Sequence, residues 1–196
     1  MNQSKIFVIG FQKTGTTSMG KALELLDYSV CGTIATRESS LETIRKKADS
    51  KLPFFDAFQD NPWCLLYKEL DLKFPGSKFI LTVRPTEKWI SSMVNHFGYK
   101  QNPIENMIYG ATSPIGNEDL YIETYERHNN EVMNYFKDRT EDLLLLQTGV
   151  DFSWSKICPF LDKDILTCDF PRLNVSKFPF KKIKPLVILK NFLIHR

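Results

Sequence analysis

The chain has 196 residues, 42% of them hydrophobic and 25% charged, which suits one well-packed domain (1–196) and excludes a disordered chain. Net charge is +3, but seven Lys or Arg and no Asp or Glu follow from Pro171 onward, leaving the preceding 170 residues at −4. The acidic body speaks against nucleic-acid binding, and the basic tail suggests an anionic ligand or surface near it. No apolar run approaches the roughly 18 residues of a membrane span, and the N-terminus enters a strand without a signal-peptide core. The four scattered cysteines, Cys31, Cys64, Cys158 and Cys168, have neither zinc spacing nor a disulfide framework. A reduced, cytoplasmic protein without a bound metal is expected.

The first strand is predicted at residues 5–10, apolar on both faces as a central parallel strand should be. A Gly/Thr loop follows, then a helix at about 16–27 with Met19, Ala22, Leu23 and Leu26 on one face. Helices are expected near 39–50 and 62–73, the second capped by Asn61 with Pro62 in its first turn. A second buried strand spans 78–83, and Pro85 opens a helix to about 97. Residues 98–117, rich in Gly, Pro and Asn, read as a long irregular loop, with Tyr99, Met107 and Tyr109 as possible ligand contacts. A helix at about 118–137, a strand at 143–147 and a short helix at 153–161 follow, and the tail ends in a helix from about 185. Alternating strands and helices predict a three-layer α/β/α domain with a central, mostly parallel sheet of P-loop type. Ligands bind such sheets beyond the strand C-termini.

Residues 10–18 read Gly10-Phe11-Gln12-Lys13-Thr14-Gly15-Thr16-Thr17-Ser18 between a buried strand and an amphipathic helix. Small residues there turn backbone N–H groups inward, and the helix N-terminus adds positive potential, so the segment suits a phosphate. A Walker loop needs Lys directly after its last glycine, whereas here Thr16 follows Gly15 and Lys13 precedes it. The 78–83 strand leads into Arg84 and not into an Asp, so a magnesium-dependent kinase is the weaker reading. A second motif runs from Arg84 to Ser92, where an arginine fork and a hydroxyl suit a phosphate dianion.

Gln12-Lys13-Thr14-Gly15-Thr16-Thr17 resembles the 5′-phosphosulfate loop of sulfotransferases that use 3′-phosphoadenosine 5′-phosphosulfate (PAPS). Arg84 and Ser92 reproduce the spacing of that family's 3′-phosphate motif, and the likeness covers roughly residues 5–175. The resemblance implies sulfuryl transfer to a hydroxyl or amine of a small-molecule, lipid or carbohydrate acceptor. It implies a donor site of Gln12, Lys13, Thr14, Gly15, Thr16, Thr17, Ser18, Arg84 and Ser92, with Lys13 neutralising the bridging oxygen. The sequence departs from the family at Ser18, where many members stack adenine on Trp, and at Pro85, which follows Arg84 directly.

The acceptor needs a base, which the family supplies from between the two motifs. Asp60 and Asp56 are the candidates there, with Glu105 a third. His96 falls on the Ser92 face of its helix and borders the cleft or stays a partly exposed helical residue; His128 reads as structural and His195 as terminal. Arg172 and Lys177 are candidates for the 3′-phosphate, and Lys181, Lys182 and Lys184 beside apolar 186–189 for peripheral contact with an anionic membrane. A non-catalytic nucleotide-binding protein is a further alternative.

Overall fold

The computed structural model describes residues 4–173. Five strands, β1 (Ile6–Val8), β2 (Val30–Cys31), β3 (Ala57–Gln59), β4 (Lys78–Val83) and β5 (Leu143–Gln147), form one parallel sheet in the order β2-β3-β1-β4-β5. Around it lie α1 (Thr16–Leu25), α2 (Leu41–Lys51), α3 (Tyr67–Lys73), α4 (Thr86–Phe97), α5 (Pro103–Tyr109), α6 (Glu118–Tyr135) and α7 (Trp154–Phe160).

Alternating side chains along each strand build two separate cores. Ile6, Val8 and Ile80 pack with Met19 and Leu23 of α1 and with Trp154 and Ile157 of α7. Phe7, Phe79 and Leu81 face the other way, against buried residues of α2 to α6. Register places Phe7 opposite both Phe58 and Phe79, and its ring stacks on them at 5.2 and 5.4 Å between centroids. This aromatic ladder ties three neighbouring strands together. The arrangement is the three-layer α/β/α architecture expected from the sequence.

Three local expectations change. Strands β2 and β3 were not foreseen: at two and three residues they are too short to show a period. The single helix expected at 62–73 divides into a 3-10 turn, Trp63–Leu65, and α3. Asn61 does not cap it, since the Asn61 side chain accepts from Cys64 Sγ (3.1 Å) and donates to Gln12 Oε1 (3.3 Å). The loop at 98–117 contains α5, which Asn102 caps by accepting from the Ile104 N–H at 3.3 Å. The basic tail from 174 on, with Lys177, Lys181, Lys182, Lys184, His195 and the helix expected from about 185, lies outside the described residues.

Neighbouring parallel strands β1 and β4 end side by side, and the Ile9 N–H donates to the Ile80 carbonyl (2.9 Å) just past β1. The two motifs therefore leave the sheet at the same edge.

Candidate active site

Lys13 (φ 70°) and Gly15 (φ 94°) both take left-handed backbone conformations, which curl the chain tightly between β1 and α1. Gly15 is the N-cap of α1 and no side chain caps that helix, so its N-terminal dipole faces the loop. Close packing fixes the loop from outside. A Cβ on Gly10 would come within 2.1 Å of Thr82 Oγ1, and one on Gly15 within 2.7 Å of the Phe152 ring. Thr14, expected in the donor site through its backbone N–H, turns its polar groups to the protein. Its hydroxyl donates to the Phe11 carbonyl (2.6 Å) and meets Thr82 Oγ1 (2.7 Å), its N–H donates to Phe11 O, and its carbonyl accepts from Thr148. With every polar group spent on protein, Thr14 shapes the loop. Ser18 is likewise taken: its buried Oγ accepts from the Leu173 N–H at 2.9 Å. Gln12 is buried, and its Nε2 has no partner among the described residues, which leaves a donor open within the loop.

The second turn, from β4 to α4, has only Arg84 and Pro85 between strand and helix. Arg84 reaches across to donate to the Lys13 carbonyl at 3.3 Å, so the guanidinium lies against the first loop. Ser92 is buried on α4, two turns on. One helix braces both turns. The Tyr125 hydroxyl of α6 accepts from the Arg84 N–H and donates to the Arg84 carbonyl, each at 2.8 Å. Three residues later, His128 Nε2 lies 2.8 Å from the Ile9 carbonyl, and its ring stacks on Phe11. Burial lowers the His128 pKa to about 4, so the ring is neutral and Nε2–H is the donor. Trp89 of α4 adds an indole N–H to the Gln12 carbonyl at 3.0 Å.

Lys13 feels the charges of both Arg84 and Asp60. Burial, then the Arg84 charge, lower the Lys13 pKa, while Asp60 works in the opposite sense. Asp60, at the exit of β3 in a left-handed conformation (φ 70°), accepts from Thr16 Oγ1 (3.0 Å), the Asn61 N–H (2.7 Å) and Thr33. The residue keeps part of its surface open, but its carboxyl lies deep among protein atoms, and this burial raises its pKa against those hydrogen bonds and the Lys13 charge.

Asp56 is misplaced for the base role. It sits at the start of β3, the opposite edge of the sheet, where its carboxylate accepts from the Ser29 hydroxyl (2.5 Å) and N–H (3.1 Å), which hold its pKa down. Glu105 is fully buried in α5; Tyr121 donates to its Oε2 (2.7 Å), its Oε1 has no partner among the described residues, and burial pushes its pKa up to about 7. His96 lines a surface cavity with Arg37 and Lys100, and its pKa is lowered by burial, by Lys13 and by Lys100.

Two adjacent turns, each with a cation at the strand exit, agree with what comparison shows. The family model described as a sulfotransferase domain matches residues 5–117 and 101–178, most of the chain. The chain belongs to the sulfotransferase domain family. It is also 26% identical over 218 residues to the Ava biosynthesis cluster protein M of Aspergillus versicolor, covering 88% of this chain and 81% of that protein.

In this sulfotransferase domain, several residues around the site carried no sequence signal. Thr33 reaches Asp60 from the segment after β2, which was itself unseen, and Phe152 seats against Gly15 from a loop far along the chain. His128 read as structural in sequence and Tyr125 carried no signal, and nothing in their spacing said that they hold two turns. Among the described residues no helix is long and apolar enough to cross a membrane, and no group of three or more His, Cys, Asp or Glu is placed to hold a metal ion.

Proposed function

We propose that this domain transfers the sulfuryl group of PAPS to a hydroxyl or amine of a small-molecule, lipid or carbohydrate acceptor. The observation that carries this reading is the contact between the two turns, which puts the Arg84 guanidinium on the Lys13 backbone at 3.3 Å. Two fixed cations and an uncapped helix N-terminus thus share one edge of the sheet, a fit for a ligand with two separate anionic groups.

The first loop grips the 5′-phosphate through the N–H groups at the start of α1, the hydroxyls of Thr16 and Thr17, and the open Gln12 Nε2. Arg84 and Ser92 hold the 3′-phosphate. Lys13 neutralises the charge that develops on the bridging oxygen as its bond to sulfur breaks. The acceptor oxygen or nitrogen forms the new bond to sulfur, and Asp60 takes the acceptor's proton. Burial supports this role by raising the Asp60 pKa, which makes the carboxylate a stronger base than an exposed one. The Lys13 charge works against that burial and favours the ionised carboxylate.

Calorimetric titration with 3′,5′-ADP and with ATP, each with and without magnesium, tests the donor assignment. Metal-independent binding of 3′,5′-ADP and weak binding of ATP are expected. Magnesium-dependent ATP binding with none for 3′,5′-ADP would replace this reading with a kinase-like one. For the base, Asp60→Asn is expected to retain 3′,5′-ADP affinity and to lose the acid limb of the pH–rate profile; an unchanged limb excludes it.

A further inference from the structure

A surface cavity of about 300 Å³ opens beside the site, lined by Thr36, Arg37, His96, Phe97, Lys100, Gln101, Asn102 and Pro103. Its lining holds two permanent cations and a histidine and no carboxylate. Neither Arg37 nor Lys100 has an ion-pair partner among the described residues. Two cations facing one cavity with no carboxylate in its lining form a local positive field.

Both walls grow out of the transfer site. On one side, Thr33 bonds Asp60 and the Ile34 N–H donates to the Asn61 carbonyl at 2.9 Å. Thr36 and Arg37 come three and four residues after Thr33, within about 14 Å of extended chain. On the other side, α4 carries Ser92 and then His96 and Phe97, and a tight turn (Lys100 N–H to Phe97 O, 2.9 Å) swings Lys100 back over the helix end. His96 lies within the electrostatic reach of both Lys13 and Lys100, which sets it between the transfer centre and the cavity. Phe97 supplies an apolar wall.

Resting on the sulfuryl-transfer reading above, we infer that this cavity binds the acceptor and selects one bearing an oxyanion, a carboxylate or a phosphate ester, held by Arg37 and Lys100. The Arg37 fork suits a planar carboxylate or a phosphate in two-point contact, and Lys100 adds a point charge. The reacting hydroxyl or amine then extends past His96 toward Asp60 and Lys13.

Matched pairs of probes test this by calorimetry, in the presence and absence of saturating 3′,5′-ADP: 4-hydroxyphenylacetate against its methyl ester, and glucose 6-phosphate against glucose. The anionic member of at least one pair is expected to bind about ten-fold more tightly than its neutral partner, as two partly exposed charge contacts provide. Which pair responds separates carboxylate from phosphate recognition. Arg37→Ala/Lys100→Ala is expected to abolish the preference and leave 3′,5′-ADP affinity within about two-fold, because neither side chain belongs to the donor site. Equal affinity within both pairs, no binding of either anion, or a preference that survives the double variant overturns the inference. Failure of 3′,5′-ADP to bind would instead strike the donor reading, and the nucleotide-free arm would still report on the cavity.

Discussion

The turn after β1 and the turn after β4 leave adjacent strands at the same edge, yet they are built on opposite plans. The first is a curled loop with two left-handed residues and a glycine cap, and it offers mainly backbone donors beside Lys13. The second has two residues between strand and helix and offers a side chain, Arg84. Substitutions should therefore act through shape in the first and through charge in the second. Their braces differ as well: a buried neutral histidine holds the first and a tyrosine holds the second, both from α6. Only the first brace resists a proton that its free side chain would take up in mild acid.

Lys13 is the exception to the shape rule and tests the comparison hardest. Lys13→Ala is expected to reduce release of 3′,5′-ADP from PAPS by about 10²–10³-fold, the usual effect of losing one electrostatic stabiliser, with an unchanged melting curve. Near-normal turnover would remove Lys13 from the chemistry. Gly10→Ala should show the shape effect. The added methyl meets Thr82, and a stability loss of about 2 kcal/mol in urea titrations is expected. Unchanged stability would mean that the strand pair yields at that point.

The braces are separated by pH. His128 has its folded pKa depressed to about 4, so between pH 6.5 and 4 the unfolded chain takes up a proton that the folded one refuses, and stability falls as pH drops. Glu105 acts in the opposite sense. Its folded pKa is raised to about 7, so from about pH 4.5 upward the unfolded chain loses a proton that the folded one keeps, and stability falls as pH rises. In the shared window, about pH 4.5–6.5, the two oppose each other. His128→Gln should expose the Glu105 slope and Glu105→Gln the His128 slope, each about 2 kcal/mol across the window in denaturant midpoints. Two variants with the same pH slope would refute both assignments.

On the proposed donor site, Arg84→Ala should weaken 3′,5′-ADP by about ten-fold or more and 5′-AMP far less, since only the first carries a 3′-phosphate. Equal weakening of the two would assign Arg84 to the first loop alone, where it touches the Lys13 carbonyl. Ser92→Ala is the smallest expected effect, roughly 1 kcal/mol in 3′,5′-ADP affinity, because one neutral hydroxyl is lost.

The layered fold and the two turns were legible because long signals carry them: apolar runs at residues 78–83 and 143–147, and a Gly/Thr loop set between strand and helix. Short elements were not. A strand of two or three residues has no period to read, and β3 was visible only as the segment before Asp60. The Asn102-Pro103 pair did announce α5, with Asn at the cap and Pro at the first position, but the surrounding Gly and Pro hid it. Asp60 and Asp56 both read as candidate bases in sequence, Asp60 ahead because Asn61 was given the capping position. Strand direction separates them, because β3 runs between the two and delivers only Asp60 to the cleft edge. The motif position of Thr14 says that it belongs to the loop, but not that its hydroxyl turns to Phe11 and Thr82.

Helix α6 has a consequence as a gauge. Tyr125 and His128 stand three residues apart on one rigid rod, about 4.5 Å along its axis, and each pins a different strand-exit turn. The distance between the two turns is thus calibrated by a helix that contributes no motif residue of its own. Inserting one residue between them would turn one pin by about 100° away from its carbonyl and set the turns adrift from each other. Drift in this helix would change which spans of ligand the domain can measure, even with every motif residue kept.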